Sequence, residues 1–146
     1  MIYLLRHGDA EEGNGDDSAR PLTAKGERQA RAAGRALTAM GTAIDACLTS
    51  PKLRATDTAR LVCEALSLEP ETATELHGGS FDSLALAAGR GDVLLVGHEP
   101  DFSNEVARLT GGKVKLRKGG LAIVDGSTLL ALLRPRDLAA LAESPG

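Results

Sequence analysis

Two histidines of this chain each follow a run of apolar residues. His7 comes after the run 2–5, and His98 comes after the run 93–96 of a strand predicted at 92–96. Each run is continuously apolar rather than alternating, which is typical of a central strand that helices cover on both faces. Ligands of parallel sheets bind outside the carboxyl ends of the strands, so we expect both imidazoles to lie in one crevice.

Positively charged side chains are expected at the same edge of the sheet. A short strand is predicted at 44–49, and it leads into Ser50, which can cap a helix whose first turns contain Lys52 and Arg54. The free N–H groups of a helix start, together with a guanidinium group, attract an oxyanion such as phosphate. Arg6, directly before the first histidine, adds a second guanidinium group.

Two histidines with two arginines favour phosphoryl transfer over metal binding, because arginine repels a cation and can neutralise phosphoryl oxygens. His7 is the candidate nucleophile, since neighbouring cations disfavour its protonated form. His98 would donate a hydrogen bond to the transferring group, while Arg6 and Arg54 would bind its oxygens as bidentate ligands. We expect no metal ion and no other cofactor.

Each of these residues also has a purely structural interpretation. A histidine such as His7 can be buried and satisfied by the backbone, and the two arginines can be surface ion-pair partners. The combination of all four residues after strand ends makes the functional interpretation the stronger one. His77, next to two glycines, is expected on the surface. The basic stretch 113–118 is expected to be the solvated face of an edge strand, and the alternative is that it attracts an acidic partner.

Three motifs at strand ends resemble the histidine phosphatase superfamily in order and spacing, over about residues 1–110. The motifs are Leu5-Arg6-His7-Gly8, then Ser50-Pro51 with Arg54-Ala55 and Thr58-Ala59, then Val96-Gly97-His98-Glu99-Pro100. A single tripeptide recurs by chance, but three motifs in this order are specific. Within the superfamily, the short chain and the segments Arg6-His7-Gly8-Asp9-Ala10, Asp17 and Arg20-Pro21-Leu22-Thr23 with Gly26 are similar to the SixA-type phosphohistidine phosphatases.

This resemblance implies specific roles for residues of this chain. It makes His7 the nucleophile, His98 its partner, and Arg6 and Arg54 the phosphate ligands, with Arg20 as an additional ligand. It also implies a hydrolase that acts on phosphohistidine in a protein.

The resemblance is weaker for the general acid. Larger members of the superfamily use a carboxylate between the third and fourth strands, where this chain has Glu75, followed by Asp82. A solvated loop carboxylate is the more ordinary interpretation of Glu75. Imidazole leaves more easily than an alkoxide, so phosphohistidine needs less proton donation than a phosphate ester. About twenty residues separate these two strands, so we expect no cap domain over the crevice.

Three functions remain open from the sequence. The first is a phosphohistidine phosphatase acting on a protein through phospho-His7, and the second is a phosphatase of small phosphate monoesters on the same scaffold. The third is a phosphate- or phosphohistidine-binding module without turnover, which the presence of both histidines and both motif arginines disfavours.

Composition limits the class of protein. The chain has 146 residues, 42% hydrophobic and 25% charged, which is typical of one globular domain spanning 1–146. It has no Trp, one Tyr and two Phe, so stacking on single-stranded nucleic acid is not expected. The net charge of −3 means that an anion site needs locally clustered cations. We expect a cytoplasmic monomer without nucleic-acid or membrane partners, in which Cys47 and Cys63 are small buried residues.

The order of predicted elements indicates an α/β protein. Strands and helices alternate up to residue 110, which predicts a mostly parallel central sheet with helices on both faces, a three-layer sandwich. Antiparallel strands are expected near the C-terminal end, where glycine turns separate short apolar runs. The predicted helices are 24–40, one after Ser50, 81–88 and 101–109; the predicted strands are 2–5, 44–49, 71–76, 92–96, 114–116, 122–124 and 129–133.

Overall fold

The computed structural model describes residues 1–13 and 15–144. This part of the chain contains six strands and five α-helices, and up to residue 110 they alternate as expected from the sequence. The strands are β1 (Ile2–Arg6), β2 (Ala46–Thr49), β3 (Pro70–Thr72), β4 (Val93–Gly97), β5 (Leu121–Asp125) and β6 (Thr128–Leu133). The helices are α1 (Ala24–Ala39), α2 (Leu53–Leu66), α3 (Ser83–Ala87), α4 (Asp101–Thr110) and α5 (Pro135–Ala142), and short 3-10 turns lie at Asp17–Ala19 and Thr74–Leu76.

The six strands form one mixed sheet in the order β3-β2-β4-β1-β5-β6. The four strands β3, β2, β4 and β1 are parallel, while β5 and β6 add an antiparallel hairpin beside β1. This arrangement is the predicted α/β class, with the antiparallel strands at the C-terminal end. It places β1 and β4 side by side at the centre of the sheet.

Two apolar cores, one on each face of the sheet, confirm the predicted three layers. Alternate residues of β1 point to opposite faces, as the pleat requires. Tyr3 and Leu5 pack against α1, α2 and α5, whereas Ile2 and Leu4 pack against α4 and the segment around α3. Both cysteines are buried free thiols, as expected. The central strands are therefore covered on both faces, and only their ends can present side chains to a ligand.

Two predicted strands differ in the structure. The third strand, predicted at 71–76, ends at Thr72, because the chain then turns so that Leu76 enters the core. No strand forms at 114–116. There the backbone of Leu116 is bound by side chains, since its carbonyl accepts from Arg6 Nη1 at 3.0 Å and its N–H donates to Glu99 Oε2 at 3.3 Å. The interpretation of 113–118 as the face of an edge strand is therefore wrong.

The helix α5 has no counterpart among the elements predicted from the sequence, the last of which ends at residue 133. Pro135 occupies its first turn, and the Asp137 carboxylate accepts from the backbone N–H of Arg134 at 2.8 Å. These are ordinary helix-start signals. Leu138 is fully buried against the face of the sheet that also carries α1. In residues 1–13 and 15–144, none of the helices has the length and apolar character needed to cross a membrane.

Candidate active site

The register between β1 and β4 brings the two histidines together. Arg6 pairs with Gly97 in this parallel ladder, so the next residues, His7 and His98, leave the sheet side by side. The His7 backbone N–H donates to the Gly97 carbonyl at 3.0 Å, which continues the ladder by one step. The two imidazole rings have their centroids 5.3 Å apart and are tilted by 56°. Both imidazoles therefore line the same crevice at the carboxyl edge.

His7 is held as a neutral imidazole with one free nitrogen. Its Nδ1 lies 2.7 Å from the Gly8 carbonyl oxygen, which can only accept, so Nδ1 carries the proton and Nε2 keeps its lone pair. Burial lowers the His7 pKa from 6.5 to about 4, and the charges of Arg54, Arg6 and Lys118 add to this effect against the opposing Gly8 hydrogen bond. At neutral pH the ring is therefore uncharged, with its proton on Nδ1, and Nε2 is suited to nucleophilic attack.

His98 is fixed by the strand on its other side. The Ser50 N–H donates to the Val96 carbonyl at 2.9 Å, which places the serine beside the end of β4. Ser50 Oγ then lies 2.7 Å from His98 Nε2 and also accepts from the Lys52 N–H at 3.2 Å. Among residues 1–13 and 15–144, no group hydrogen-bonds to the buried Nδ1 of His98.

The His98 ring is also held neutral. Burial lowers its pKa to about 3, and the charges of His7, Arg54 and Lys52 act in the same direction. If the Ser50 hydroxyl donates to Nε2, the neutral ring carries its proton on Nδ1. His98 then offers an N–H donor on the atom that lacks a protein partner in the described chain.

Arg54 is buried at the start of α2 and bound to Asp17. Its Nη1 donates to the Asp17 carbonyl oxygen at 2.7 Å, and its Nη2 donates to Asp17 Oδ2 at 3.1 Å. The same carboxylate forms salt bridges with Arg20 at 3.1 Å and Lys52 at 3.4 Å. Hydrogen bonds from Arg20 and Arg54 lower the Asp17 pKa to about 2. The predicted phosphate ligands Arg54 and Arg20 are thus brought together through one exposed carboxylate.

Arg6 reaches the crevice from the opposite side. Its Nη1 is bound to the Leu116 carbonyl, and burial lowers its pKa against the opposing charge of Glu99. The Nε atoms of Arg6 and Arg54 are buried, and neither has a hydrogen-bond partner within the described ranges. The charges of Arg6 and Arg54 both lower the His7 pKa. Such donors suit an oxyanion with several oxygens.

A close backbone contact fixes the turn that carries His7. A Cβ on Gly26 of α1 would lie 2.0 Å from the Asp9 carbonyl oxygen, so only glycine allows this approach. The Gly8 N–H donates to Thr58 Oγ1 at 3.1 Å, and this hydroxyl donates to the Arg54 carbonyl at 2.8 Å. Residues 7–9, which we call the nucleophile turn, are therefore attached to both α1 and α2.

The other acidic and histidine candidates lie elsewhere. Glu75 is exposed in the 3-10 turn after β3, where its Oε1 accepts from Thr74 at 3.4 Å, and in the described chain no hydrogen bond or salt bridge joins it to the two paired histidines. Asp82 caps α3 by accepting from the Ala85 N–H at 3.1 Å. His77 is exposed, as expected. Over residues 1–13 and 15–144, no three His, Cys, Asp or Glu side chains are grouped to hold a metal ion.

Sequence reasoning names Asp17 and Ser50 but misses the contacts that they make in this geometry. Asp17 lies in a loop rich in Gly and Asp, and only its place before Arg20 distinguishes it from the other loop carboxylates. The sequence identifies Ser50 as a helix cap, whereas its contact with His98 depends on the pairing of β2 with β4. Local sequence can suggest neither interaction, because both join segments more than 30 residues apart.

The mixed sheet with paired neutral histidines and flanking arginines defines a phosphatase of the histidine type. The chain belongs to the histidine phosphatase superfamily, branch 1, whose family model matches residues 2–88. This match confirms the resemblance to the superfamily, and the SixA relatives described next confirm the SixA-type branch.

Two proteins and one solved structure show how close this relationship is. The phosphohistidine phosphatase SixA homolog of Haemophilus influenzae is 34% identical over 126 residues, covering 75% of this chain and 77% of that protein. Phosphohistidine phosphatase SixA of Escherichia coli is 32% identical over 122 residues, covering 77% of this chain and 76% of that protein. The structure of the protein histidine phosphatase SixA complexed with tungstate has a TM-score of 0.81 at 29% identity, covering 94% of this chain and 98% of that chain.

Proposed function

We propose that this protein removes the phosphoryl group from phosphohistidine on a protein, through a covalent intermediate on His7. The observation that carries the proposal is the tautomer of His7, whose Nδ1 proton is bound to the Gly8 carbonyl so that Nε2 keeps its lone pair. Its ring lies 5.3 Å, between centroids, from that of His98. The SixA names of the relatives support the substrate class.

The first step transfers the phosphoryl group to His7. The Nε2 lone pair attacks phosphorus, and a new P–N bond forms as the P–N bond of the substrate phosphohistidine breaks. The electron pair of the broken bond stays on the leaving imidazole, which takes up a proton. The His7 ring becomes positively charged, and the hydrogen bond from Nδ1 to the Gly8 carbonyl stabilises that charge.

The second step regenerates the enzyme. Water attacks phosphorus and gives its proton back to the group that protonated the leaving imidazole in the first step, the P–N bond to His7 breaks, and its electron pair returns to Nε2. Inorganic phosphate is the product. In both steps the charge on the equatorial oxygens is neutralised by Arg6 and Arg54 and by the Nδ1–H of His98, with Arg20 as an outer ligand.

Glu75 remains our candidate proton donor for the leaving group, supplied from the exposed turn after β3. A distant or weak acid suffices for phosphohistidine, because the imidazole leaving group is less basic than an alkoxide. We therefore expect Glu75→Gln to reduce turnover of an alkyl phosphate more than turnover of phosphohistidine.

The approach to the crevice is compatible with a protein substrate. Between β3 and β4 the chain forms only a 3-10 turn and the five-residue helix α3. We propose accordingly that residues 1–146 form a single domain without a cap. The proposal also includes a monomeric cytoplasmic protein, which size-exclusion chromatography with light scattering and cell fractionation would test.

The decisive experiment measures kcat/KM on a phosphohistidine-bearing protein and on a panel of small phosphate monoesters. His7→Ala should abolish turnover of both, and the exposed His77→Ala is the matched control that should leave it unchanged. Acid-labile, base-stable label from ³²P-phosphohistidine should appear on the wild type only. If kcat/KM were higher on small esters by orders of magnitude, the proposed substrate class would be wrong and a phosphatase of small esters would take its place. Phosphohistidine binding without turnover would indicate a recognition module.

A further inference from the structure

A basic groove of about 550 Å³ lies beside the candidate active site. Three segments that are distant in sequence form it: the start of α1, the stretch 115–118 and the start of α5. Arg6 lines the groove from the side of the crevice. Apart from Arg6, its cationic side chains are Lys25, Lys115, Arg117, Lys118, Arg134 and Arg136.

Most of this positive charge is not neutralised. Lys118 is paired with Asp9 at 3.5 Å, and Arg134 is paired with Asp137 at 3.0 Å. Lys25, Lys115, Arg117 and Arg136 are exposed, and none of them forms a salt bridge with the residues at 1–13 and 15–144.

This concentration of cations contrasts with the net charge of the chain, which is −3. A local excess of one sign attracts a partner of the opposite sign and orients it as it approaches. The groove is therefore suited to an acidic partner surface.

The groove adjoins the turn that carries the nucleophile. Arg6, which directly precedes His7, lines the groove, and Lys118, which also lines it, lies 3.5 Å from the Asp9 carboxylate, two residues after His7. The Gly119 N–H also donates to the His7 carbonyl at 2.9 Å, which joins the end of the basic stretch to the nucleophile turn. A molecule held in the groove would lie directly next to the phosphoryl-transfer site.

We propose that this groove docks an acidic surface of the substrate protein, a cluster of Asp and Glu side chains beside the phosphohistidine. The inference rests on the proposed function and adds how the protein substrate is selected. The groove makes protein substrates with acidic surroundings better substrates than equally phosphorylated proteins with neutral or basic surroundings. Apart from Arg6, which belongs to both, the groove makes no contact with a small phosphate ester that fills only the crevice.

A protein partner fits the groove better than a nucleic acid does. No aromatic residue lines the groove, so the bases of a single strand would have no stacking partner. A partner that also places a phosphohistidine over His7 must be a protein. Duplex DNA is nevertheless included in the test as the competing anion.

The experiment compares a charge-reversed groove with a charge-reversed control. The groove variant is Arg117→Glu with Arg136→Glu, which leaves the residues around His7 unchanged. The control is Arg28→Glu with Arg35→Glu, two exposed positions seven residues apart on α1 and outside the groove, with the same change in net charge. Each protein is assayed on an acidic phosphohistidine protein, on the same protein with its neighbouring carboxylates changed to amides, and on p-nitrophenyl phosphate.

We expect the groove variant to lose about tenfold in kcat/KM on the acidic substrate, mostly through KM. Its kcat/KM on p-nitrophenyl phosphate should stay within about twofold of the wild type, as should the control on every substrate. Raising the salt to about 0.5 M should reduce the wild-type preference for the acidic substrate, because such charges are screened.

Three results would overturn the docking proposal. Equal kcat/KM of wild type and groove variant on the acidic protein would show that the groove does not bind the substrate. Tighter binding of a DNA duplex than of an acidic peptide, by fluorescence anisotropy, would assign the groove to nucleic acid. A wild type that hydrolyses p-nitrophenyl phosphate but no phosphohistidine protein would instead refute the proposed function, and the docking proposal with it.

Discussion

Lowering the pH from 7 to 5 should destabilise the folded protein, because two buried histidines must remain neutral in it. The folded-state pKa is about 4 for His7 and about 3 for His98, against 6.5 for an ordinary histidine. Between these values the unfolded chain binds protons that the folded chain does not bind. Stability is therefore fully present above pH 6.5 and is lost progressively as the pH falls towards the folded-state values.

The expected loss between pH 7 and pH 5 is about 2 kcal/mol for each histidine. At pH 5 both rings are still neutral in the folded state, so their mutual repulsion plays no part and the two losses add to about 4 kcal/mol. Carboxylates contribute little in this window, because the strongly paired Asp17 and Asp137 have pKa values of about 2 and lose their stabilisation at lower pH. The interval from pH 7 to pH 5 thus isolates the two histidines.

Urea unfolding at several pH values measures this effect. The chain has no Trp and one Tyr, so circular dichroism at 222 nm is the suitable probe. Between pH 7 and pH 5 the free energy of unfolding of the wild type should fall by about 4 kcal/mol. That of His7→Gln or His98→Gln should fall by about half as much. His77→Gln is the control and should follow the wild type, because an exposed ring is solvated in both states.

The reasoning would be refuted if the free energy of unfolding of the wild type fell by less than about 1 kcal/mol between pH 7 and pH 5. It would also be refuted if His7→Gln showed the same pH dependence of unfolding as the wild type. Either result would mean that the histidines are solvated or satisfied in their protonated forms. Burial would then no longer account for a neutral nucleophile at physiological pH.

Three further substitutions test how the site is held. Gly26→Ala should destabilise the protein by about 3 kcal/mol in urea unfolding, because the new methyl group meets the backbone of the nucleophile turn, while Gly78→Ala, with open space around it, should be nearly neutral. Ser50→Ala should lower kcat about tenfold with little change in KM, because it leaves His98 Nε2 buried without its partner; an unchanged kcat would contradict this role. Asp17→Asn should tighten tungstate binding about threefold, as measured by calorimetry, because the negative charge that now pairs with three cations is removed. Weaker binding would show that the carboxylate positions these cations instead.

Much of the local structure is predictable from the sequence, since it depends on neighbouring residues. The helix predicted at 24–40 is α1, Ala24–Ala39, capped by Thr23, whose side chain accepts from the Gly26 N–H at 3.0 Å. The continuous apolar runs before the two histidines are the central strands β1 and β4. Their burial on both faces follows from a composition that leaves no polar face to be solvated.

The chain after residue 110 is predicted less well. Apolar and basic residues alternate at 113–118, and this alternation favours a strand, but the backbone groups of Leu116 are bound by Arg6 and Glu99. Period alone cannot distinguish a paired strand from an extended segment whose partners are side chains. The basic groove is likewise invisible in sequence, because the start of α1, the stretch 115–118 and α5 meet only in the folded chain.

The sequence by itself determined the types of residue at the strand ends, two histidines and two arginines. With them it determined the histidine phosphatase family. These follow from short motifs in which each residue depends on its immediate neighbours. The tertiary structure alone decided that Ser50 supports His98, and that Asp17, already next to Arg20 in the chain, also binds Arg54 and Lys52. Such contacts join segments whose approach depends on strand order and register, and no local pattern encodes these.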